Sequence, residues 1–478
     1  MTVPPARARR PHPRLAAVYV AAAAGFALAL IALTFRPIVE GDGVGYYAYL
    51  HAVLVSHSLD FDSEYSAARA AHIPVYVPLV STRTSTGQLA DFFPIGAAVL
   101  AAPAYLAALA LRPSGEPQYG SPFVDSFTLA SLFYGLMALA ICYRLAAAVA
   151  ASRRAAVMGV VTATFATPFV YYALSDPSYS HTFSVFCVSA FLYLWWAHPP
   201  ETSRAWFGLG VLGGLMAMTR FQDGLLMAIV LVDARRLRWP ALLLVPGAIV
   251  GFAPQLAVDH AQFGGWLPER PPGQGLNPLH GNYLEALFSS RDGLFVWTPA
   301  ALFAGLGFLF VHDRRLRLAL AIAFVLEVAI IGSVPDTVGR SFGARRFLDL
   351  MPFEAVGMAA LAARVGSRLD WAVVAALCGW NLVLEANFEY VMGSTLGSGY
   401  LAMIRGQAAA VPYVPRLFTK GAVVRDLVLW QQAHGRFDPV GGLSLLMLEA
   451  AALAAAVAAT RWPRSDKSRA DKVLVLQT

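Results

Sequence analysis

Residues 127–151 read FTLASLFYGLMALAICYRLAAAVAA, an apolar run in which Arg144 is the one charged residue. A helix of ~20 apolar residues is long enough to cross the hydrocarbon core of a membrane. Residues 15–35 and 443–460 form comparable runs. Because backbone groups in lipid must find their hydrogen-bond partners within the protein, we expect these runs to be helices. The first run lacks a small-x-small cleavage site, so we interpret it as a permanent span rather than a signal peptide.

The composition of the whole chain is that of a membrane protein. Of its 478 residues, 58% belong to the hydrophobic set and 14% are charged, whereas a soluble domain carries about 25% charged residues. The net charge of +7 would suggest a nucleic-acid partner for a soluble protein. Here we expect it to anchor cytoplasmic loops, and we expect no nucleic-acid partner. Cys142, Cys187 and Cys378 lie within apolar runs, so no disulfide framework is predicted.

The apolar runs predict an all-α polytopic membrane protein, a bundle of about twelve transmembrane helices with interfacial helices on its outer face. We divide the chain into a core at 1–365, C-terminal spans at 366–460 and a cytoplasmic, disordered tail at 461–478. The predicted spans are residues 15–35, 125–150, 155–174, 180–197, 205–219, 221–234, 239–258, 293–311, 316–335, 349–364, 370–391 and 440–460.

The segment Phe92–Leu111 is apolar but contains Pro94, Gly96 and Pro103, and its placement decides the topology. If it does not cross the membrane, the short arginine clusters and the basic tail all fall on the cytoplasmic side, as the positive-inside rule requires. If it crosses, they all face outward. We therefore interpret the segment as an interfacial or re-entrant helix on the outer face, with both termini cytoplasmic. The large segments that then face outward are 36–124, 259–292 and 392–439.

The first outer segment begins EGDGVGYY at residues 40–47. Asp42 is expected at the membrane–water boundary, between glycines that allow a tight turn, and Glu40 is its acidic neighbour. Tyr46 and Tyr47 begin an amphipathic stretch that we expect to lie in the interface. The alternative is a polar turn followed by an interfacial aromatic belt, without a functional role.

A second outer loop reads SDPSYSH at residues 175–181. Asp176 and His181 lie five residues apart and are candidate ligands for a divalent metal. Asp176 is also a candidate cap for the helix that follows. Since a lone histidine does not make a metal site, both interpretations stay open.

Several arginines lie on the side of the membrane that the positive-inside rule disfavours. Arg345 and Arg346 belong to SFGARRF at residues 341–347. Guanidinium forks bind phosphate in a bidentate manner, so this pair predicts an anionic ligand. Anionic lipid head groups are the alternative. Arg220 and Arg291 lie at the same outer edge, and each has an aspartate nearby with which it would otherwise simply close a turn.

Glu327 and Glu354 are the charges that lie deepest in the predicted spans. Such residues usually face the bundle interior or a wet cavity, although structural, hydrogen-bonded carboxyls are equally compatible with the pattern. The sequence contains no P-loop, no GxGxxG at a strand–helix turn and no HExxH. Nothing therefore predicts a nucleotide-driven enzyme or a zinc protease.

The order of these segments resembles that in a known class of enzymes. GDGVGYY, FFPIGAA, SDPSYSHTF, SSRDGLFVWTP and SFGARRF are together similar to segments of bacterial membrane glycosyltransferases of the GT-C fold. The resemblance is to proteins near the dolichyl-phosphate-mannose–protein mannosyltransferase and aminoarabinose transferase families. It spans residues 36–365 and implies that the region 1–365 is a GT-C-like catalytic core.

The resemblance also implies a reaction. The sugar donor would be carried on a polyprenyl phosphate, the acceptor would be a glycan, lipid or protein, and the catalytic cavity would face outward from the inner (plasma) membrane. Asp42, with Glu40 as its competitor, would be the general base for an inverting attack. The remaining residues that it implies in substrate binding are Arg345, Arg346, Arg291, Arg220, Tyr46, Tyr47, His181 and Asp176.

The sequence departs from the family pattern in its acids. Some GT-C families have an adjacent acidic pair in the first loop, whereas here the pair is split as Glu40-x-Asp42. Others bind a divalent metal, but the DxD spacing is absent. We leave metal dependence open, and we expect no metal and no other cofactor.

Two other functions are compatible with the sequence. A transporter or lipid flippase of the cell envelope would account for Glu327 and Glu354 without catalysis. Its polar groups should line a route through the bilayer, however, and it has little need of the long segment 36–124. A non-catalytic, GT-C-like scaffold for envelope assembly would retain the fold alone.

Overall fold

The chain folds into helices, as its apolar runs predict. The computed structural model describes residue 25 and residues 27–75, 81–111, 117–234, 238–270, 275–334, 341–365, 367–392 and 399–422, with the backbone alone for 367–370 and 392. Residues 27–34 are helical. The other α-helices are Gly43–His51, Asp62–Ala70, Gly96–Leu111, Ser121–Ala150, Arg153–Phe165, His181–Trp196, Ser203–Thr219, Leu244–Phe263, Tyr283–Phe288, Leu294–Trp297, Ala300–Phe308, Arg314–Gly332, Met351–Arg364, Ser367–Asn387, Tyr400–Ala410 and Val414–Leu417.

Tighter and wider helical turns connect several of these helices. The 3-10 segments are Phe221–Asp233, Trp239–Leu243, Pro278–His280, Arg345–Leu350 and Val411–Tyr413, and the π turns are Ala52–Ser56, Tyr171–Ser175 and Phe388–Met392. Within the described ranges there is no β-strand, only the isolated bridges Gly41–Val75 and Arg83–Leu89. The prediction of an all-helical protein is confirmed for this part of the chain.

Three helical segments among the described residues are long and apolar enough to cross a membrane: Ser121–Ala150, Trp239–Phe263 and Trp371–Val391. Gly96–Leu111 and His181–Trp196 are shorter apolar helices. The total of about twelve spans stays a prediction. The predicted span at 440–460 lies outside the described residues.

Paired glycines bring two helices into close backbone contact. Gly210 and Gly214 form a GxxxG motif in Ser203–Thr219, and Gly247 and Gly251 form a second one in Leu244–Phe263. A Cβ atom added at any of the four glycines would collide with backbone of the facing helix. Such small-residue faces let membrane helices pack by van der Waals contact where lipid offers no hydrophobic driving force.

The chain divides by its contacts into two units, residues 36–417 and residues 1–35 together with 418–478. In the second unit, the N–H groups of Gly421 and Ala422 donate to the carbonyls of Leu33 and Phe35, each at 2.8 Å. These bonds join the end of the first predicted span to residues far along the chain. The division at residue 365 stays a prediction.

The helices of the larger unit run between two polar ends. At one end, Arg315 donates to the Asp233 carboxylate at 2.7 Å and lies 4.1 Å from the ring centre of Trp195. Asp313 there accepts from Trp196 Nε1 at 2.9 Å. This is the end at which the charge rule places the cytoplasm. His181, a candidate site residue, lies at the opposite end of the helix that finishes at Trp196.

Candidate active site

Asp42 is presented by a glycine-rich turn. Gly41 has a φ of +58°, which glycine adopts without strain, and its N–H donates to the Pro74 carbonyl at 2.9 Å. A Cβ atom on Gly43 would collide with Ser178, and one on Gly45 would collide with Phe93. The predicted tight turn is confirmed at Gly41, and close packing explains the other two glycines.

The helix that follows, Gly43–His51, is not amphipathic, so the prediction that it presents one face to the membrane interface is wrong. Residues 43–50 are all buried, because the helix is apolar on every side and has no polar face to present to water. Tyr47 is fully buried, and its hydroxyl donates to the Gln118 carbonyl at 2.6 Å. Its ring packs against Tyr105, Tyr119 and Phe127. The structure therefore places Tyr47 in an aromatic core and not among the site residues.

Asp42 faces an arginine that is distant in sequence. Asp42 Oδ2 lies 2.8 Å from Arg345 NH1, and the two side chains remain 19% and 13% exposed. Asp42 precedes the first helical residue, yet its carboxylate makes no capping hydrogen bond, since it is turned towards the guanidinium. Burial alone would lower the pKa of Arg345, but the neighbouring Asp42 carboxylate raises it. Arg345 is thus a cation that remains partly exposed.

Aromatic rings surround this ion pair. The Arg345 guanidinium lies 4.8 Å from the ring centre of Tyr179, a cation–π distance. Burial, and to a smaller extent the Asp42 charge, raises the pKa of Tyr46 to about 12. Tyr46 therefore keeps its hydroxyl proton at neutral pH and is available as a donor next to the ion pair. The hydroxyl of Tyr172 donates to the Phe342 carbonyl at 2.8 Å, which holds the arginine-bearing loop in place.

Asp176 does not cap the helix that begins at His181. It follows the π turn Tyr171–Ser175 and accepts from the Ser178 hydroxyl at 2.9 Å, while Ser180 occupies the cap position. The capping interpretation is therefore wrong. Burial, and then the charge of Glu40, raises the pKa of Asp176 to about 8. At neutral pH this carboxyl is mostly protonated, which suits a hydrogen-bonding role better than a role as a charged ligand.

His181 and Arg220 are in direct contact. Arg220 NH1 lies 3.0 Å from His181 Nδ1 and 3.6 Å from Asp349 Oδ2. The same nitrogen lies 3.5 Å from the Arg345 carbonyl oxygen. Arg220 therefore makes long-range contacts, and the interpretation that it simply closes a turn with Asp223 is wrong. Asp223 instead accepts from the Ser184 hydroxyl at 2.6 Å.

Three buried carboxyl groups lie behind Arg220. Asp223, Glu327 and Asp349 are fully buried. One carboxyl oxygen from each lies within 4.8 Å of the other two, and this geometry could hold a metal ion. Gln222 Nε2 lies 2.7 Å from Glu327 and 2.8 Å from Asp349. The predictions that Glu327 and Glu354 face the interior are confirmed by their burial.

The other predicted residues lie at the edge of this cluster or outside it. The Glu40 N–H lies 3.5 Å from the Ser178 hydroxyl oxygen, and the Arg346 carbonyl accepts from Gln222 at 2.9 Å. Arg346 also lines a small cavity together with Arg345 and Asp292. Arg291 is exposed in the turn before Leu294–Trp297, and none of its recorded contacts joins it to Asp42 or Arg345.

Sequence reasoning missed Asp349, Gln222, Tyr172 and Tyr179. Asp349 follows Arg345 by four residues at the start of an apolar helix, so its position beside a candidate cation was a readable signal. Gln222 and the two tyrosines gave none, since uncharged polar residues at the ends of spans are common and only the fold shows what they contact.

Neither a family model nor a curated protein matches the chain. A solved structure does: the crystal structure of ArnT from Cupriavidus metallidurans in the apo state has 14% sequence identity and a TM-score of 0.51. The match covers 94% of this chain and 76% of that one. ArnT is an aminoarabinose transferase with the GT-C fold. The similarity that the sequence motifs indicated thus extends to the three-dimensional structure, and the chain has the GT-C fold.

Proposed function

We propose that the protein is a membrane glycosyltransferase that moves a sugar from a polyprenyl-phosphate donor to an acceptor hydroxyl at the outer face of the inner membrane. The observation that carries the proposal is the contact between Asp42 and Arg345, a carboxylate and a guanidinium 2.8 Å apart and partly exposed. A base for the acceptor and a cation for the donor phosphate are the two groups that this reaction needs. The fold that holds them is one that an aminoarabinose transferase also has.

Asp42 and Arg345 each have one role in this reaction. The acceptor oxygen attacks the anomeric carbon of the sugar and forms the new glycosidic bond, with inversion. The bond between that carbon and the phosphate oxygen breaks, and its electron pair stays on the lipid phosphate beside Arg345. The proton of the acceptor hydroxyl passes to the Asp42 carboxylate. Phosphate is already a good leaving group, so the stabilising cation matters more than an acid.

The ion pair also suggests an order of events. While Arg345 NH1 contacts Asp42 Oδ2, each group is engaged by the other and is not open to a substrate. A donor phosphate that binds Arg345 displaces Asp42 and leaves it free to accept a proton. Binding of the donor therefore activates the base, and a water molecule or an acceptor that arrives early meets an inactive site.

The other clustered residues have supporting roles in this proposal. Tyr46 donates a hydrogen bond beside Asp42, and Asp176 orients the loop that carries Tyr179. Arg220 adds a second positive charge, and Arg346, which lines a small cavity with Arg345, is a further candidate contact for the donor phosphate. Arg291 is a candidate contact outside the cluster. The acceptor is a glycan, lipid or protein, and no metal is assigned a step.

The alternative of a transporter or flippase rests on the buried acids. Glu327 and Asp349 contact Gln222, and Asp349 also pairs with Arg220, so their arrangement serves the site at one end of the bundle. A transport route needs polar groups at successive depths. A transfer assay also distinguishes the enzyme from a non-catalytic scaffold, since a scaffold does not turn over substrate.

The test is a transfer assay with the full chain in liposomes, using polyprenyl-phosphate sugars and an extract of envelope acceptors. We expect a labelled product with the wild type and a loss of at least ~100-fold with Asp42→Asn, the usual scale for removing a general base. Asp62→Asn is the matched control, because Asp62 is exposed in the same outer segment. Equal product from Asp42→Asn and wild type would rule out the assignment of the base, and labelled lipid that crosses the bilayer without sugar transfer would favour the flippase.

A further inference from the structure

His181 is the buried histidine of the cluster, and its chemical state follows from its contacts. Its Nδ1 lies 3.0 Å from Arg220 NH1. An arginine guanidinium has donors only, so Nδ1 must accept this hydrogen bond with its lone pair. A histidine that accepts at Nδ1 carries its proton on Nε2.

The surroundings of His181 favour a neutral ring. The guanidinium of Arg220 contacts the ring directly, and a cation at this distance disfavours an imidazolium because like charges repel. Of the acids in the cluster, Asp349 is paired with Arg220 and Asp42 is paired with Arg345. Its aromatic neighbours are the rings of Tyr172, at 4.6 Å between centres, and Tyr179, stacked in parallel at 5.9 Å. Neither ring offers a charge that would hold a second proton.

Arg220 is itself fixed by the buried polar groups behind it. Its NH1 lies 3.6 Å from Asp349 Oδ2, and its NH2 donates to Gln222 Oε1 at 3.2 Å. Gln222 Nε2 in turn lies within hydrogen-bond distance of Glu327 and Asp349. A buried guanidinium without such partners would be strongly destabilising. The buried acids thus set the position of Arg220, and Arg220 sets the tautomer of His181.

We propose that His181 is held by Arg220 as the neutral tautomer with its proton on Nε2, and that it donates this N–H to an oxygen of the lipid phosphate bound at Arg345. The second half rests on the proposed function. Tyr179 contacts both His181 and Arg345. Its ring stacks on His181, and the Arg345 guanidinium lies 4.8 Å from the centre of the same ring. In this state His181 is neither a base nor a metal ligand, because the lone pair of Nδ1 is occupied and Nε2 is protonated.

The tautomer is tested without activity. The full chain with ring-15N-labelled histidine is measured by solid-state NMR in lipid, and the His181 signal is the one lost in His181→Asn. We expect a proton on Nε2 and none on Nδ1 between about pH 6 and about pH 8, the range in which an ordinary histidine changes its charge. A proton on Nδ1, or a doubly protonated ring at pH 7, would overturn the proposal.

The donor role is tested with two variants that each keep one half of the ring. Asparagine places an acceptor near the position of Nδ1, so His181→Asn keeps the contact with Arg220 and loses the donor. Glutamine places an N–H near the position of Nε2, so His181→Gln keeps the donor. The probe is a polyprenyl monophosphate in detergent micelles. We expect its affinity to fall about tenfold or more in His181→Asn, the scale of a hydrogen bond to a charged group, and only a few-fold in His181→Gln.

The outcomes separate the inference from the proposed function. If the two variants lose affinity equally, His181 does not donate to the phosphate, whatever its tautomer. If the wild type binds polyprenyl monophosphate no better than it binds the same chain ending in an alcohol, the proposed function fails and the donor role fails with it, while the NMR result still stands alone. Equal thermal stability of the two variants shows that the comparison is not one of folding.

Discussion

Asp42 and Arg345 each limit what the other can do. Their charges lie 2.8 Å apart, so neither the carboxylate nor the guanidinium is fully available until a ligand separates them. Removing one partner should therefore change the behaviour of the other, and not only delete a group. Two predictions follow from this dependence, one for each partner.

In Asp42→Asn the guanidinium loses its competitor. We expect turnover to fall at least ~100-fold, while the affinity for a polyprenyl-phosphate donor rises a few-fold, the scale of a partly exposed ion pair. Binding is measured by tryptophan fluorescence or by calorimetry in detergent, and turnover by product formation. A fall in affinity that parallels the loss of turnover would contradict the proposed competition.

In Arg345→Lys the charge remains but the planar fork is lost. We expect donor affinity to fall by about tenfold and to fall further in Arg345→Ala, because lysine binds phosphate as a point charge and not in a bidentate manner. Arg69→Ala is the control, since Arg69 is an exposed arginine of the first outer segment. Unchanged donor affinity in Arg345→Ala would remove Arg345 from the phosphate site.

Asp91 gives the protein a pH-dependent stability outside the site. Burial raises its pKa from the ordinary 3.8 to about 7, so the folded protein holds a proton that the unfolded chain releases near pH 4. This contribution to stability is complete below the unfolded pKa and is lost as the pH rises through about 7. We expect thermal stability in detergent to decline over that interval and Asp91→Asn to flatten the decline. A variant with the same pH dependence as the wild type would show that Asp91 titrates normally.

The sequence drew attention to several charged residues of the candidate site, though not to Asp349, because charges are rare in apolar chains. Asp42, His181, Arg220 and Arg345 were all predicted and lie in one cluster. The prediction for Tyr47 was wrong. A tyrosine after a glycine-rich turn has the same sequence pattern whether it lies in a membrane interface or in a protein core. The fold alone shows that Tyr47 packs against Tyr105 and Phe127.

At the scale of elements, apolar length predicted where helices lie but not where they break. The predicted span at 293–311 consists of Leu294–Trp297 and Ala300–Phe308, separated where Pro299 removes a backbone donor. The predicted span at 155–174 ends as an α-helix at Phe165 and continues as a π turn after Pro168. A sum of hydropathy over ~20 residues cannot register such local breaks.

The glycines of Ala300–Phe308 provide a test of packing within one helix. A Cβ atom on Gly307 would collide with the backbone of Gly357 in Met351–Arg364, whereas one on Gly305 would meet nothing within 4 Å. We expect Gly307→Ala to lower the free energy of unfolding by about 1–3 kcal/mol, the cost of overpacking. Gly305→Ala should be neutral or slightly stabilising, because alanine is the better helix former. The measurement is thermal unfolding in detergent, and equal shifts in the two variants would contradict the close approach.

At the scale of the whole molecule, the charge pattern of the loops predicts which residues share a side of the membrane, and this sidedness stays a prediction. Arg315 and Asp233 meet at one end, and Asp42, His181 and Arg345 meet at the other. The arginine count assigns loops to a side of the membrane on the expectation that each span reverses the direction of the chain, so that alternate loops lie together. It could not supply the angles between helices, on which the contact between Arg220 and Asp349 depends.

The orientation of these ends is open to a labelling experiment. In a chain whose three cysteines are replaced, a cysteine at Ala104 should react with a membrane-impermeant maleimide added to whole cells. A cysteine at Glu201, in a loop predicted to be cytoplasmic, should react only after the cells are opened. The reverse pattern would invert the topology and place the candidate site on the cytoplasmic side.

The opposite charges of Asp42 and Arg345 neutralise each other, and this affects which anions the protein binds. A site of bare arginines would attract every phosphate or sulfate ion in its surroundings, whereas a pair with no net charge presents little long-range field to a passing solute. A free ion that displaces Asp42 replaces one anion by another at the guanidinium and gains little. A phosphate that arrives on a polyprenyl chain is already confined to the membrane plane, where its high local concentration favours the exchange. We therefore expect selectivity to come from the tail more than from the head group, and inorganic phosphate to be a poor inhibitor.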